Sequence, residues 1–497
     1  MSDTPAKEFD PTQNVDLGNN PVEAKKKEGA ALLEKHGLAN RFYFDPGNRG
    51  SYWHRTADGE WIGEPSREFE EMLCDVYNIS TGRNDKDQSG ARLSESKQVA
   101  RYVKSYCRVD YVGRLAGQVA GFQKNNSQRV LVTHTADIMQ PDPEQACPTL
   151  LELFENIFGD RDGEQLNQIE HFFAWWQHAL KVLHSRRGGN GQNGLAIVLA
   201  GGTGCGKTLT TKLIRETFGG RECKPFSFMI GLERFNKECK ESEAWIIDDE
   251  QSAIDAKSRS AFSASIKAVV ADPAYRVRAI QKDGEVLEFF RRLVICTNLE
   301  DDRLQSLPSI KNDIADKISL FLCHSKPMPM SADTKEEQDL FRDTLFEELP
   351  GFVNWLLNVW EPKDKSVLGG RFGVRHYHHP DLCRDLFEVS KDQILWDHIQ
   401  KVLFRSDDEF ANWWWDGSTT KLRELLVSDE SPLSKAERGY VPQSNHLGRS
   451  ISTISNQFPE QLWKHQVEGK DRWLIVKPGK TVAEYRELQN VNRSYKT

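Results

Sequence analysis

Leu195-Ala-Ile-Val-Leu-Ala200-Gly-Gly-Thr-Gly-Cys-Gly-Lys-Thr-Leu209 is the stretch on which the fold class turns. Its first half, Leu195 to Ala200, is a short and continuously apolar run, the pattern of a strand buried on both faces of a parallel sheet. Its second half, Gly201 to Thr208, fits GxxxxGK[ST] and opens a helical stretch from Leu209 to Phe218. In a strand, glycine-rich turn, helix sequence the glycines let backbone amides converge on a phosphate, and the helix N-terminus adds partial positive charge there. The cradle is expected from Gly201, Gly202, Thr203, Gly204, Cys205, Gly206, Lys207, Thr208 and Leu209. Lys207 would reach the β- and γ-phosphates, and Thr208 would give its hydroxyl to Mg²⁺, so ATP and Mg²⁺ are the expected cofactors.

Downstream, the apolar run Ala244-Trp245-Ile246-Ile247 ends in Asp248-Asp249-Glu250. Acidic groups at the carboxyl end of a buried strand beside a phosphate loop suit phosphoryl transfer, where catalysis is mostly positioning. Asp248 reads as the metal partner and Asp249 as the acid that orients the attacking water, with Asp249 and Glu250 as the shifted alternative. A third apolar run, Leu293 to Thr297, ends at Asn298, whose amide would touch the γ-phosphate or the lytic water. Between the second and third runs, Tyr275-Arg276-Val-Arg278 and Glu285 to Phe290 flank Lys282-Asp283-Gly284, a hairpin turn between two alternating strands.

The 497 residues correspond to three or so folding units at about 150 residues each. Lys+Arg 66 against Asp+Glu 74 gives a net charge of −8, which excludes a histone-like basic coat and confines nucleic-acid contacts to local basic surfaces. The nine cysteines stand singly, without a CxxC pair, so neither a disulfide framework nor a zinc knuckle is expected. Such usage suits a reducing compartment, the cytoplasm of a bacterial host. The longest apolar runs are strand-sized, and no membrane span or signal peptide is expected.

The series GGTGCGKT, Phe235-Asn236, WIIDDE, a basic hairpin and VICTN resembles the superfamily 3 helicases of viruses, phages and mobile elements, a branch of the AAA+ ATPases. The resemblance runs from about Leu195 to Phe321. It implies an α/β core of parallel sheet wrapped by helices, and a homo-hexameric ring that translocates on single-stranded or forked DNA during replication. Primase, polymerase or an origin-binding protein would be its replication partners. It also implies that Lys282, at the hairpin tip, contacts DNA phosphate, with Lys267, Arg276 and Arg278 as basic neighbours. The sequence departs from the family where an arginine usually completes the neighbouring subunit's site. Lys317 stands at the corresponding place, and Arg303 is the nearest arginine, so the trans-acting cation is expected from Arg303 or Lys317.

Around this core the expected organisation is a flexible tail over 1–30, an N-terminal α+β accessory domain over 31–148 and the ATPase over 149–330. A helical lid or connector over 331–385 and a winged-helix-like domain over 386–497 follow. Asp58-Gly59 predicts a hairpin, helical patterning runs from Glu68 through Arg108 and beyond, and Gly469-Lys470 predicts a second hairpin. The C-terminal unit looks like the winged-helix tail of phage primase-helicases, with Arg449 and Ser450 near the start of a candidate DNA-facing helix. His376-Tyr377-His378-His379 has no acidic partner at fixed spacing and reads as structural. Two functions fit these readings: an ATP-driven DNA helicase, or an AAA+ switch that remodels a protein partner without unwinding. The basic hairpin favours the helicase.

Overall fold

In the computed structural model the described residues are 21–47, 50–80, 82, 94–161, 164–185, 193–234, 236–248, 256–277, 285–299, 307, 314–388, 391–404 and 413–494. Helix α1 (Pro21–Lys35) begins inside the stretch expected as a tail. Leu33 is buried, and a Cβ at Gly29 would lie 2.5 Å from Tyr102 Cβ, so glycine is what lets this helix close against its neighbour. Strands β1 (Phe42–Asp45), β2 (Ser51–Arg55) and β3 (Trp61–Glu64) form an antiparallel sheet, and the predicted Asp58-Gly59 turn joins the last two with Gly59 at φ +91°. Helices α2 (Ser66–Asp75) and α3 (Glu95–Tyr106) pack on it.

Helix does not continue beyond Arg108 as the patterning suggested. The chain forms β4 (Tyr111–Gly113), β5 (Gly121–Asn125) and β6 (Gln128–Val132), in the order β4-β6-β5. Val130, Leu131 and Val132 are fully buried, which suits a central strand rich in β-branched residues, and Asn126 and Ser127 close the β5–β6 hairpin at positive φ.

After α4 (Pro148–Phe158) and α5 (Gln168–His184) the chain enters a parallel sheet: β7 (Ala196–Gly201), α6 (Lys207–Thr217), β8 (Glu222–Cys223), α7 (Phe226–Met229), β9 (Ala244–Ile247), α8 (Ala256–Ala271), the antiparallel pair β10 (Ala274–Val277) and β11 (Glu285–Glu288), then β12 (Arg292–Thr297) and β13 (Ile318–Cys323). The strand order is β13-β7-β12-β9-β8, with every pairing parallel. Every residue of β7, β12 and β13 is buried, as continuous apolar strands covered by helices on both faces require. Trp175 and Trp176 of α5 lie under this sheet and each satisfies its indole N–H, on Leu195 O at 2.8 Å and on Thr217 Oγ1 at 3.0 Å. One apolar cluster holds this core together with Tyr111, Val130 and Val132, so buried residues on both sides of position 148 share it.

Helix α9 (Lys335–Glu347) starts at a capping box of Thr334 and Glu337 and runs into α10 (Leu349–Asn354). Beyond α11 (Pro380–Glu388) a second core forms from α12 (Lys391–Leu403), β14 (Trp414–Gly417), α13 (Thr419–Val427), α14 (Lys435–Tyr440), α15 (Ser444–Gln457), β15 (Leu462–Val467) and β16 (Lys470–Val476), with α16 (Val482–Ser494) packed outside. Trp396, Ile399, Leu422, Leu447, Ile451 and Trp473 fill it, beneath a sheet ordered β14-β16-β15. The predicted hairpin is there, turning at Glu468 and Gly469, both at positive φ.

Candidate nucleotide site

The glycine-rich loop links the carboxyl end of β7 to α6. Gly204 and Gly206 take φ of +78° and +91°, values that favour glycine. Packing restricts two positions as well: a Cβ on Gly201 would sit 2.6 Å from Cys323 O and 2.7 Å from Cys205 Sγ, and one on Gly206 would sit 2.8 Å from Ile157 Cδ1. Gly202, Thr203, Gly204 and Thr208 are exposed, Leu209 is half-buried, and Cys205 and Lys207 lie inside. The Lys207 ammonium donates to the carbonyls of Gly201 (2.9 Å) and Gly202 (2.8 Å) and stands 3.7 Å from Cys205 Sγ. A hydrogen bond with Cys323, together with the Lys207 charge, holds the Cys205 thiol down at about 6 despite its burial. Burial and the neighbouring Cys205 push Cys323 well up.

The other site residues arrive on adjacent strands. Ile295 of β12 is level with Val198 of β7 and with Ile247 of β9. Asp248, one residue past Ile247, and Asn298, one past Thr297, therefore reach the same carboxyl edge as Gly201, and both are half-buried. Asp249 and Glu250 lie outside the described residues. The structure thus brings together the loop, one acidic residue and one terminal amide, a donor set that fits a nucleotide triphosphate and its magnesium ion.

The basic residues are spread more widely. The β10–β11 ladder runs from Ala274↔Glu288 to Val277↔Glu285, as the alternating strands predicted, and Arg276 on it is exposed. Lys267 is half-buried on α8. Arg278, Lys282 and Arg303 lie outside the described residues. Lys317 ends the turn before β13 and pairs with Asp316 at 2.6 Å; Ile318, the next residue, is level with Ala196 at the opposite end of β7 from the loop.

Three contacts toward the amino ends of β9 and β12, the opposite edge of the sheet from the loop, carried no signal in the sequence. Glu243, buried just before β9, accepts from Gly117 N at 2.8 Å and from Arg221 Nε at 2.9 Å. Asn125 reciprocates with Glu288 of β11, donating to its carbonyl (2.6 Å) and accepting from its amide (2.8 Å). Arg291, fully buried, donates through Nε to Val269 O at 2.9 Å near the end of α8, where carbonyls have no partner within the helix. The histidines at 376–379 divide: His378 meets Ile318 O at 2.9 Å, whereas His379 turns toward His324 and Glu164. Burial, with Arg161 beside it, holds His324 down at about 4.

A family of unknown function, DUF5906, matches residues 199–307, from the end of β7 past β12. No curated protein sequence matches the chain. Among solved structures, the NrS-1 C-terminal region (305–718) in its apo form is similar with a TM-score of 0.53 and 14% identity, over 91% of this chain and 99% of that one. The A form of the same region gives 0.52 and 12%, over 90% and 99%. A structure titled as the active helicase Cch of SCCmec type IV gives 0.24 and 9%, over 82% and 70%, a superposition too poor to carry an argument. The likeness to the NrS-1 region extends over nearly its whole length and is one of fold: mixed α/β around a parallel sheet. Among the described residues, no helix is long and apolar enough to cross a membrane.

Proposed function

We propose that this chain is an ATP-dependent DNA helicase of the superfamily 3 branch of AAA+ ATPases, acting as a homo-hexameric ring on single-stranded DNA. The observation that carries the reading is the strand order β13-β7-β12-β9-β8, in which β12 separates the phosphate-loop strand from the acidic strand. That interposed strand puts Asn298 between Gly201 and Asp248 at one edge, the place from which an amide meets the γ-phosphate. Lys207 holds phosphate charge, Thr208 and Asp248 hold Mg²⁺, and Asp249 orients the attacking water. Bound Mg²⁺ neutralises charge developing on the β- and γ-oxygens. Arg303 or Lys317 reaches the site of a neighbouring copy. The two-stranded β10–β11 projection carries Lys282 to DNA phosphate, with Arg276, Arg278 and Lys267 adding basic charge. The C-terminal core, helices closed by a β-hairpin, is in this reading a winged-helix unit with Arg449 exposed on α15.

The test is ATP turnover with and without single-stranded DNA, at low and moderate salt, for wild type, Lys207→Ala and Lys282→Ala. DNA-stimulated turnover in the wild type, abolished in the first variant and left unstimulated in the second, is the expected result. Turnover indifferent to DNA in the wild type would replace the helicase by the remodelling switch.

A further inference from the structure

Residue His324 directly follows β13, and its amide donates to Ile157 O at the end of α4 (2.9 Å). His379 precedes α11 and its amide donates to Leu320 O of β13 (3.0 Å). Glu164 lies in the α4–α5 connection, where its Oε2 accepts from Arg161 N (3.0 Å). These segments are far apart in sequence, yet one donor atom from each of Glu164, His324 and His379 lies within 4.8 Å of the other two. His324 is 5% exposed and His379 1%. Among the described residues, both ring nitrogens of His324, and Nε2 of His379, are buried without a hydrogen-bond partner. Folded proteins seldom leave buried polar atoms unpaired, so two buried imidazoles, each with an unpaired nitrogen grouped beside a carboxylate, call for a shared partner.

We propose that Glu164, His324 and His379 bind a divalent transition-metal ion, Zn²⁺ first among them. Two imidazoles and one carboxylate are a borderline N/O donor set that suits Zn²⁺ and leaves a fourth position for water. Bonds of about 2.0–2.2 Å would draw the donors to roughly 3.4 Å from one another, a small contraction of the present arrangement. Ligation through Nε2 of His379 puts its ring proton on Nδ1. The 3.2 Å contact there from the Asp381 amide is then given up, while the nearby Asp381 carboxylate, which accepts from Arg384 at 2.9 Å, favours positive charge at the ring. Arg161 opposes a cation at both rings and Lys326 at His324, whereas Glu164 favours one at both and Asp160 and Asp381 favour one at His379. The ion would tie three segments together next to Cys323, the residue that abuts Gly201 of the glycine-rich loop.

The test uses the full chain stripped with a chelator and titrated with Zn²⁺ against a chromophoric competitor, with metal content measured by mass spectrometry and Co²⁺ as a spectroscopic substitute. The expected result is one equivalent of Zn²⁺ per chain, bound about 100-fold or more weakly by His324→Gln and His379→Gln and about 10-fold more weakly by Glu164→Gln. Co²⁺ should give visible d–d bands without the near-ultraviolet thiolate band. Glu164 is half-exposed, so Glu164→Gln is expected to fold and carries the test should a histidine variant fail to. No stoichiometric uptake by the wild type, undiminished affinity in Glu164→Gln, or a thiolate band from cysteine ligation would each overturn the proposal.

Discussion

Lys207 and Gly201 separate chemistry from packing at single positions. Lys207→Ala removes the cation proposed to meet the phosphates, and we expect ATP turnover to fall by about 10²-fold or more. Gly201→Ala fails for a different reason, because its methyl would press on Cys323 O and Cys205 Sγ. A loss of about 1–3 kcal/mol in denaturant unfolding is the expected outcome, and unchanged stability would mean that the loop and β13 part more easily than their packing implies. Cys205 adds a pH dependence. Its folded value near 6 lies below the ordinary value of 9, so between these limits the unfolded chain holds a proton that the folded one has released. Its contribution is therefore complete above pH 9 and lost as pH falls through 6. Unfolding of wild type against Cys205→Ser should show an advantage that shrinks from pH 8 to pH 5.

At the scale of elements, the hairpin is clasped from outside the sheet. Asn125 of β5 satisfies both backbone groups of Glu288 in β11, and Asn126 Nδ2 reaches Val286 O at 3.3 Å. Asn125→Ala leaves two partly buried backbone groups without this partner, with an expected cost of about 1 kcal/mol and faster amide exchange at Glu288 as the readout. Wild-type protection in that variant would show that β11 is held by β10 alone. Neither asparagine stood out in the sequence, since a turn asparagine and one that bonds a strand 163 residues away look the same. The strand, glycine-rich loop and helix from β7 to α6 were legible because the glycine spacing is local and the backbone there needs positive φ. The hairpins at Asp58-Gly59 and Gly469-Lys470 were legible for the same reason. Strands β4 to β6 were not, because short segments take their state from what covers them. The meeting of Glu164, His324 and His379 depends on the whole topology and leaves no periodic trace.

Across the molecule, the separate apolar cluster of the C-terminal unit predicts more than one unfolding transition. Leu447, fully buried in it, should on replacement by alanine lower one transition by about 2–5 kcal/mol while the sheet-bearing core melts as before. Calorimetry of the full chain reads this directly, and a single shifted transition would show the two cores to be coupled. The parallel sheet imposes a further condition. Strand β12 is bonded along both sides, to β7 and to β9, so the ends that carry Gly201, Asn298 and Asp248 cannot slide past one another without breaking two ladders at once. The edge that carries the glycine-rich loop is in that respect a stiff bench. Any stroke this protein delivers then comes from swinging the bench against its surroundings, and its length is set by the joints around the sheet.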